Sequence, residues 1–159
     1  MTAPRGETSD NRSRATSGDP PPAAPAIQAR ARLRYPKARR LRKRREFVRV
    51  QDRSARVTTA HFIVLLAPRP SAGPCRLGVV TSKKVGGAVV RNRIKRLVRE
   101  AFRIRPELFP SGVDLVVIAK QGPNDLSLST VCREVEGIAS LLARRARAAL
   151  EQLHAMTGK

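Results

Sequence analysis

The chain has 159 residues, with 33 Lys and Arg against 12 Asp and Glu, for a formal net charge of +21. That length accommodates one domain plus a tail, and so large a charge repels itself in the compact state while drawing polyanions such as nucleic acid at long range. There is no apolar run near the ~20 residues of a spanning helix, no apolar core of a secretory signal, and an aromatic content of only 3%; these features argue against a membrane span, a secreted chain and a single-strand binder that works mainly by base stacking.

Residues 1–36 carry Pro, Ser, Thr, Ala and Arg without hydrophobic periodicity, and PPPAAPA from Pro20 to Ala26 forms neither a regular helix nor a strand. The composition predicts a disordered extension. Its arginines, Arg5, Arg12, Arg14, Arg30, Arg32 and Arg34, make either loose phosphate contacts or a dispensable tail. A basic run follows from Pro36, extended at first, then helical over about Arg44 to Gln51, where Phe47, Val48 and Val50 supply modest amphipathicity. Arg56 to Thr58 reads as a short edge strand, and His61 to Ala67 as a central one, because it is almost continuously apolar. Pro68 to Cys75 (PRPSAGPC) is punctuated like a hairpin loop returning into the next strand.

The stretch from Arg76 to Arg105, RLGVVTSKKVGGAVVRNRIKRLVREAFRIR, is the most informative. Leu77 to Thr81 is a buried strand, followed by Lys83, Lys84 and a small-residue turn through Gly86 and Gly87. From Val90 the period becomes helical: Val90, Ile94, Leu97, Val98, Ala101 and Phe102 make one apolar stripe. Opposite it stand Asn92, Arg96, Arg99 and Arg103, flanked by Arg91 and Lys95 on one side and Arg93 on the other, with Glu100 the only acid. A merely solvated helix face usually mixes signs, because like-charge neighbours each cost a few tenths of a kcal/mol. An arginine face of this density predicts a phosphate-binding surface.

Pro106 and Pro110 end that helix. Val113 to Ala119 is a further buried strand, ending in a Gly122-Pro123 turn. Ser127 or Ser129 caps a last helix with the stripe Val131, Val135, Ile138, Leu142, Ala146, Ala149 and Leu153. Its Arg144, Arg145 and Arg147 also complement the helix dipole, so no binding role follows from them. The expected order is α-β-β-β-α-β-α, an α+β domain over 37–154 with a flexible tail at 155–159.

The candidate chemistry is sparse. Glu46, Asp52, Glu100, Glu107, Asp114 and Asp125 stand singly, Glu134 and Glu136 point in different directions, and His61 and His154 stand alone without metal-ligand spacing. A protein that cleaved RNA unaided would need an acid, a base or metal carboxylates in one constellation. The sequence predicts no catalytic residue, no metal ligand and no cofactor held by the chain. Cys75 and Cys132 lack a CxxC or His partner and read as reduced thiols, which fits a cytoplasmic protein.

At SKKVGGAVVRNRIKRLVREAFR the chain resembles the protein component of bacterial ribonuclease P, through an Arg-Asn-Arg helix start after a Lys-Lys turn; a weaker likeness runs from about Leu41 to the last helix. The resemblance implies a two-layer α/β sandwich like domain 2 of ribosomal protein S5, with a left-handed βαβ crossover where the general rule expects a right-handed one. It implies an RNA subunit that cleaves the 5′ leader from precursor tRNA with bound divalent ions such as magnesium, and a protein that neutralises phosphates and grips the leader. By residue match, Arg91, Asn92, Arg93, Lys95, Arg96 and Arg99 contact the RNA subunit, with Lys83 and Lys84 nearby. Phe47 and the exposed sheet face, including Leu65, form the leader cleft. Two positions depart from the family: Gln51 stands where a second aromatic often lies, and Leu65 where Tyr occurs, so leader contact should be less stacked. Phe47 as an ordinary core residue is the competing structural reading. A ribosomal protein binding rRNA and a protein-only nuclease are the alternatives in function; co-purifying RNA separates the first, and processing by the RNA-free chain would support the second.

Overall fold

The computed structural model describes residues 35–120 and 126–158. Apart from Tyr35 and Pro36, the predicted extension and its arginines lie outside the described residues, as do the Gly122-Pro123 turn and Asp125. The elements are α1 (Arg44–Asp52), β1 (Ala55–Thr58), β2 (Phe62–Pro68), β3 (Arg76–Val80), α2 (Ala88–Ile104), β4 (Val113–Ala119) and α3 (Leu128–Thr157). This is the α+β order expected from the sequence. The last helix runs on to Thr157, past the 154 boundary, and Ser127 caps it by accepting the Thr130 N–H at 3.2 Å.

The four strands form one sheet in the order β1-β2-β4-β3. β1 is the predicted edge. The expected hairpin between β2 and β3 does not form: β4 lies between them, antiparallel to β2 and parallel to β3. The two most apolar strands, β2 and β4, take the inner places because both of their faces are covered, and proline-rich spacing alone cannot tell a hairpin loop from a crossover to the far edge.

The sheet has two unequal faces. On one, α2 and α3 cover a continuous core in which Phe102, Leu66, Leu77, Leu115, Val113 and Leu142 are each 0–2% exposed. On the other, α1 alone covers a smaller cluster built on Leu41, Val50, Leu65, Ala67 and Val116. The partial cover leaves room for a site.

The basic run before α1 is ordered rather than merely extended. Lys37–Arg39 makes a 3-10 turn, Arg40 bridges to Leu77, and the Leu41 N–H donates to the Leu77 carbonyl at 3.0 Å, so this segment covers the free edge of β3. Tyr35, assigned to the extension by composition, is docked: its hydroxyl donates to the Leu77 carbonyl at 3.0 Å and its ring meets Phe102 edge-on at 5.2 Å. Burial pushes its phenol up to about 12, against the opposing pull of Arg40. Deleting residues 1–34 should therefore leave the thermal unfolding midpoint unchanged. Deleting Tyr35 as well should cost about 1–3 kcal/mol, from one aromatic pair and one hydrogen bond. Urea unfolding of the two truncations checks this, and equal stabilities would show that Tyr35 contributes nothing.

Candidate nucleic-acid interface

The arginine helix is positioned by the turn before it. Lys83–Val85 forms a 3-10 turn that buries Val85 and leaves Lys83 and Lys84 exposed. Gly86 then adopts φ 149°, and a Cβ there would meet Val90 at 3.1 Å, so the entry into α2 requires glycine. Gly87 is the N-cap and supplies no side-chain cap, which leaves the positive end of the helix dipole beside the two lysines.

Ile94, Val98, Ala101 and Phe102 are buried as the stripe predicted, with Val90 and Leu97 half-buried. Asn92, Arg93 and Arg96 are exposed, and Arg91, Lys95 and Arg99 are half-exposed. No ion pair with a carboxylate engages Lys83, Lys84, Arg91, Lys95, Arg96 or Arg99 among the described residues. Two arginines differ from that pattern. Arg93 reaches back to the Leu126 carbonyl at 3.4 Å, and Arg103 is held by Glu100, which draws down the Glu100 carboxyl. Arg40, Arg96 and Arg99 line one hollow with the Tyr35 ring, so the docked N-terminal segment widens the basic face beyond α2.

The second surface lies on the α1 side of the sheet, where the register arranges the side chains in three transverse rows. The first row runs Thr58, Ile63, Ile118, Val80, and every member is half or fully exposed. Next comes Arg56, Leu65, Val116, Gly78, in which the last three are buried. The last is Ala67, Asp114, Arg76, beneath α1.

Phe47 lies half-buried over the middle row: a Cβ on Gly78 would fall 2.5 Å from its Cε1. Glycine at that position lets the ring lie on the strand backbone. Leu65 is on the expected face but only 8% exposed, so it is floor beneath the helix. The accessible apolar positions are Ile63, Val80 and Ile118, which the alternation of β2, β3 and β4 would have identified once the pairing was known. Of five aromatic residues, Tyr35, Phe62, Phe102 and Phe109 belong to the opposite core, and Phe47 alone faces this cleft.

The third row holds a charge cluster that sequence reasoning missed by treating Asp114 as a lone acid. Its side chain is fully buried, and its oxygens accept from Arg76 Nε at 2.8 Å and Nη2 at 2.7 Å, and from Arg49 Nη2, with Arg69 at 3.6 Å. Arg76 also donates to Glu46 at 2.8 Å. Partial burial pushes the Glu46 carboxyl up, but the Lys43 and Arg42 N–H groups at the start of α1, together with Arg76, outweigh that and hold it at about 2. The cluster joins α1 to β3 and β4 and sets the depth of the cleft.

His61 is not alone, as its spacing suggested. Its ring Nδ1 pairs with Glu134, whose other oxygen accepts the His61 N–H at 3.1 Å and the Thr59 hydroxyl. Partial burial pushes the Glu134 carboxyl up; these hydrogen bonds outweigh it and hold the group below the usual carboxylate range. Glu136 turns away to Arg105, as expected from its position. Most acids thus serve as internal partners, and no group of three potential metal ligands stands together among the described residues.

A family model described as ribonuclease P matches residues 35–152. The ribonuclease P protein component of Desulfovibrio desulfuricans is 40% identical over 117 residues, covering 73% of this chain and 89% of that protein. That of Syntrophus aciditrophicus is 39% identical over 104 residues, 65% of this chain and 87% of the relative. Among solved structures, the RNase P protein of Staphylococcus aureus aligns with a TM-score of 0.60 and 31% identity, covering 69% of this chain and 99% of that one. The RNase P protein from Thermotoga maritima aligns at 0.57 and 33%, covering 66% and 96%.

Proposed function

This chain belongs to the ribonuclease P protein family and acts as the protein subunit of that endoribonuclease, and from that premise we propose how its two surfaces divide the work. The outward face of α2, with Arg91, Asn92, Arg93, Lys95, Arg96 and Arg99, holds the RNA subunit, and Lys83 and Lys84 extend the contact around the helix N-terminus. The cleft beside Phe47, floored by Leu65 and opened by Ile63, Val80 and Ile118, takes the single-stranded 5′ leader of precursor tRNA. The observation that carries this reading is that Arg91, Lys95, Arg96 and Arg99 on α2 make no ion pair with a carboxylate among the described residues. Neutralising closely spaced RNA phosphates needs such uncommitted charge.

Phosphodiester hydrolysis belongs to the RNA subunit and its bound magnesium ions. Asp114 and Glu46, the carboxylates of the charge cluster beneath α1, are both committed to arginines, and the chain's contribution is charge neutralisation and orientation of the leader. With Gln51 exposed and Leu65 buried, Phe47 provides the only aromatic face to a leader base, and the remaining contact is apolar and electrostatic. No described helix is long and apolar enough to cross a membrane; the free thiols of Cys75 and Cys132 support a cytoplasmic site of action.

Reconstitution with the organism's ribonuclease P RNA, assayed on precursor tRNA at low magnesium, is the direct test. In that assembly Arg96→Ala with Arg99→Ala should reduce the slope of log K against log salt by about 1.4–1.8, two phosphate contacts' worth, without altering the fold. An unchanged slope would remove α2 from the interface. Recovery with ribosomal subunits in place of one large structured RNA would favour the ribosomal alternative.

A further inference from the structure

A groove away from the Phe47 cleft lies at the corner of the sheet where α1 ends, β1 begins and β2 finishes. It encloses about 450 Å³, within the ~300–1,000 Å³ typical of ligand clefts. Arg49 of α1, Arg53 just past its end and Arg145 of α3 line it, and no Asp or Glu does. Arg53 and Arg145 are exposed and have no ion pair among the described residues, and Arg49 keeps a buried Nε without a partner. Part of the wall is apolar, including Pro68, Leu153 and the exposed Met156.

Arg53 and Arg145 without an acid among the lining, beside Arg49, which is already paired with Asp114, and against a partly apolar wall, suit one kind of occupant. A phosphodiester group satisfies the guanidinium donors, and the attached sugar and base cover the apolar side. An acidic peptide would satisfy the charge but would not need the exposed methionine wall.

Edge strand β1 runs from the groove toward the leader cleft. Val57 faces the opposite core, so alternation puts Arg56 and Thr58 on the α1 face. Thr58 belongs to the open row and Arg56 to the next, while Ser54 and Ala55 line the groove. Edge strand β1 thus forms a path of about 10 Å, three residues of strand, with an exposed arginine midway.

We propose that this corner groove binds the nucleotides of the 5′ leader that lie upstream of those in the Phe47 cleft, with Arg53 and Arg145 on the backbone phosphates. This rests on the leader-cleft reading and extends it to a second, separable subsite. The site has no aromatic platform and no donor set matched to one base, so it should read leader length and charge rather than sequence.

The test uses full-length protein assembled with ribonuclease P RNA and a series of precursor tRNAs whose leaders are shortened one nucleotide at a time. For the wild type, affinity should rise in two stages with leader length, first as the cleft fills and again as the groove fills. In Arg53→Ala with Arg145→Ala the second stage should disappear, and the salt slope for the longest leader should fall by about 1.4, at about 0.7 per phosphate on a single strand. Affinity for mature tRNA and for the RNA subunit should stay at the wild-type level. Superimposable length series for variant and wild type would overturn the proposal, as would a loss of RNA-subunit affinity that is equal at every leader length. Phe47→Ala and Arg96→Ala with Arg99→Ala are run beside it. If they alter binding while the groove variant does not, only the groove fails; if none alters binding, the RNA reading of both surfaces fails.

Discussion

Asp114→Ala should lower the unfolding free energy by about 3–5 kcal/mol, the usual loss when one partner of a buried ion pair is removed. Asp114 is 0% exposed and faces Arg49, Arg69 and Arg76. Without it, three guanidinium groups are left with Glu46 as the remaining carboxylate in the cluster. Asp114→Asn keeps the shape and removes the charge, so it separates loss of charge from loss of packing. Urea denaturation of both variants measures the effect. A cost below about 1 kcal/mol for Asp114→Ala would mean that water or rearranged arginines replace the carboxylate. Leader affinity should fall along with stability, because this cluster holds α1 against the sheet and so shapes the cleft.

Phe47→Ala should weaken binding of leader-bearing precursor tRNA at least five-fold while leaving affinity for the RNA subunit nearly unchanged. One aromatic–base stack is worth about 1–3 kcal/mol. The competing view is a pure core role, in which Phe→Ala costs about 3–5 kcal/mol of stability and damages both affinities together. Phe47 is half-buried, resting on Gly78 with one side toward the open row, so its stability cost should fall below that range. Gly78→Ala offers an independent displacement of the same ring, since the new methyl would lie 2.5 Å from Cε1. Binding of precursor is compared with binding of mature tRNA, using assembled holoenzyme. A folded Phe47→Ala protein that keeps the wild-type preference for the leader would exclude the ring as a leader contact.

The parts of the molecule legible in the sequence are those governed by local periodicity. The α2 stripe through Ile94, Val98, Ala101 and Phe102 could be read because helical geometry repeats every 3.6 residues, and the same geometry put Arg96 and Arg99 on the outward face. The Lys83-Lys84 turn and its glycines were legible for a similar reason: Gly86 adopts a backbone conformation that other residues rarely tolerate. Strands β2 and β4 were evident as apolar runs bounded by turn residues.

What the sequence alone determined was therefore a basic chain with an arginine-faced helix after a lysine turn, and through that motif its family. Which elements meet was decided only by tertiary structure. Strand pairing is set by burial across the whole sheet, so β4 could displace β3 from the expected hairpin without any local signal. Register then placed Leu65 under α1, opened Ile63, Val80 and Ile118, and brought Asp114 to arginines at positions 49, 69 and 76. His61 found Glu134 across 73 residues of chain in the same way. A charge carries no local mark of its partner: Coulomb attraction depends on distance and dielectric, and both are set only when the chain has folded.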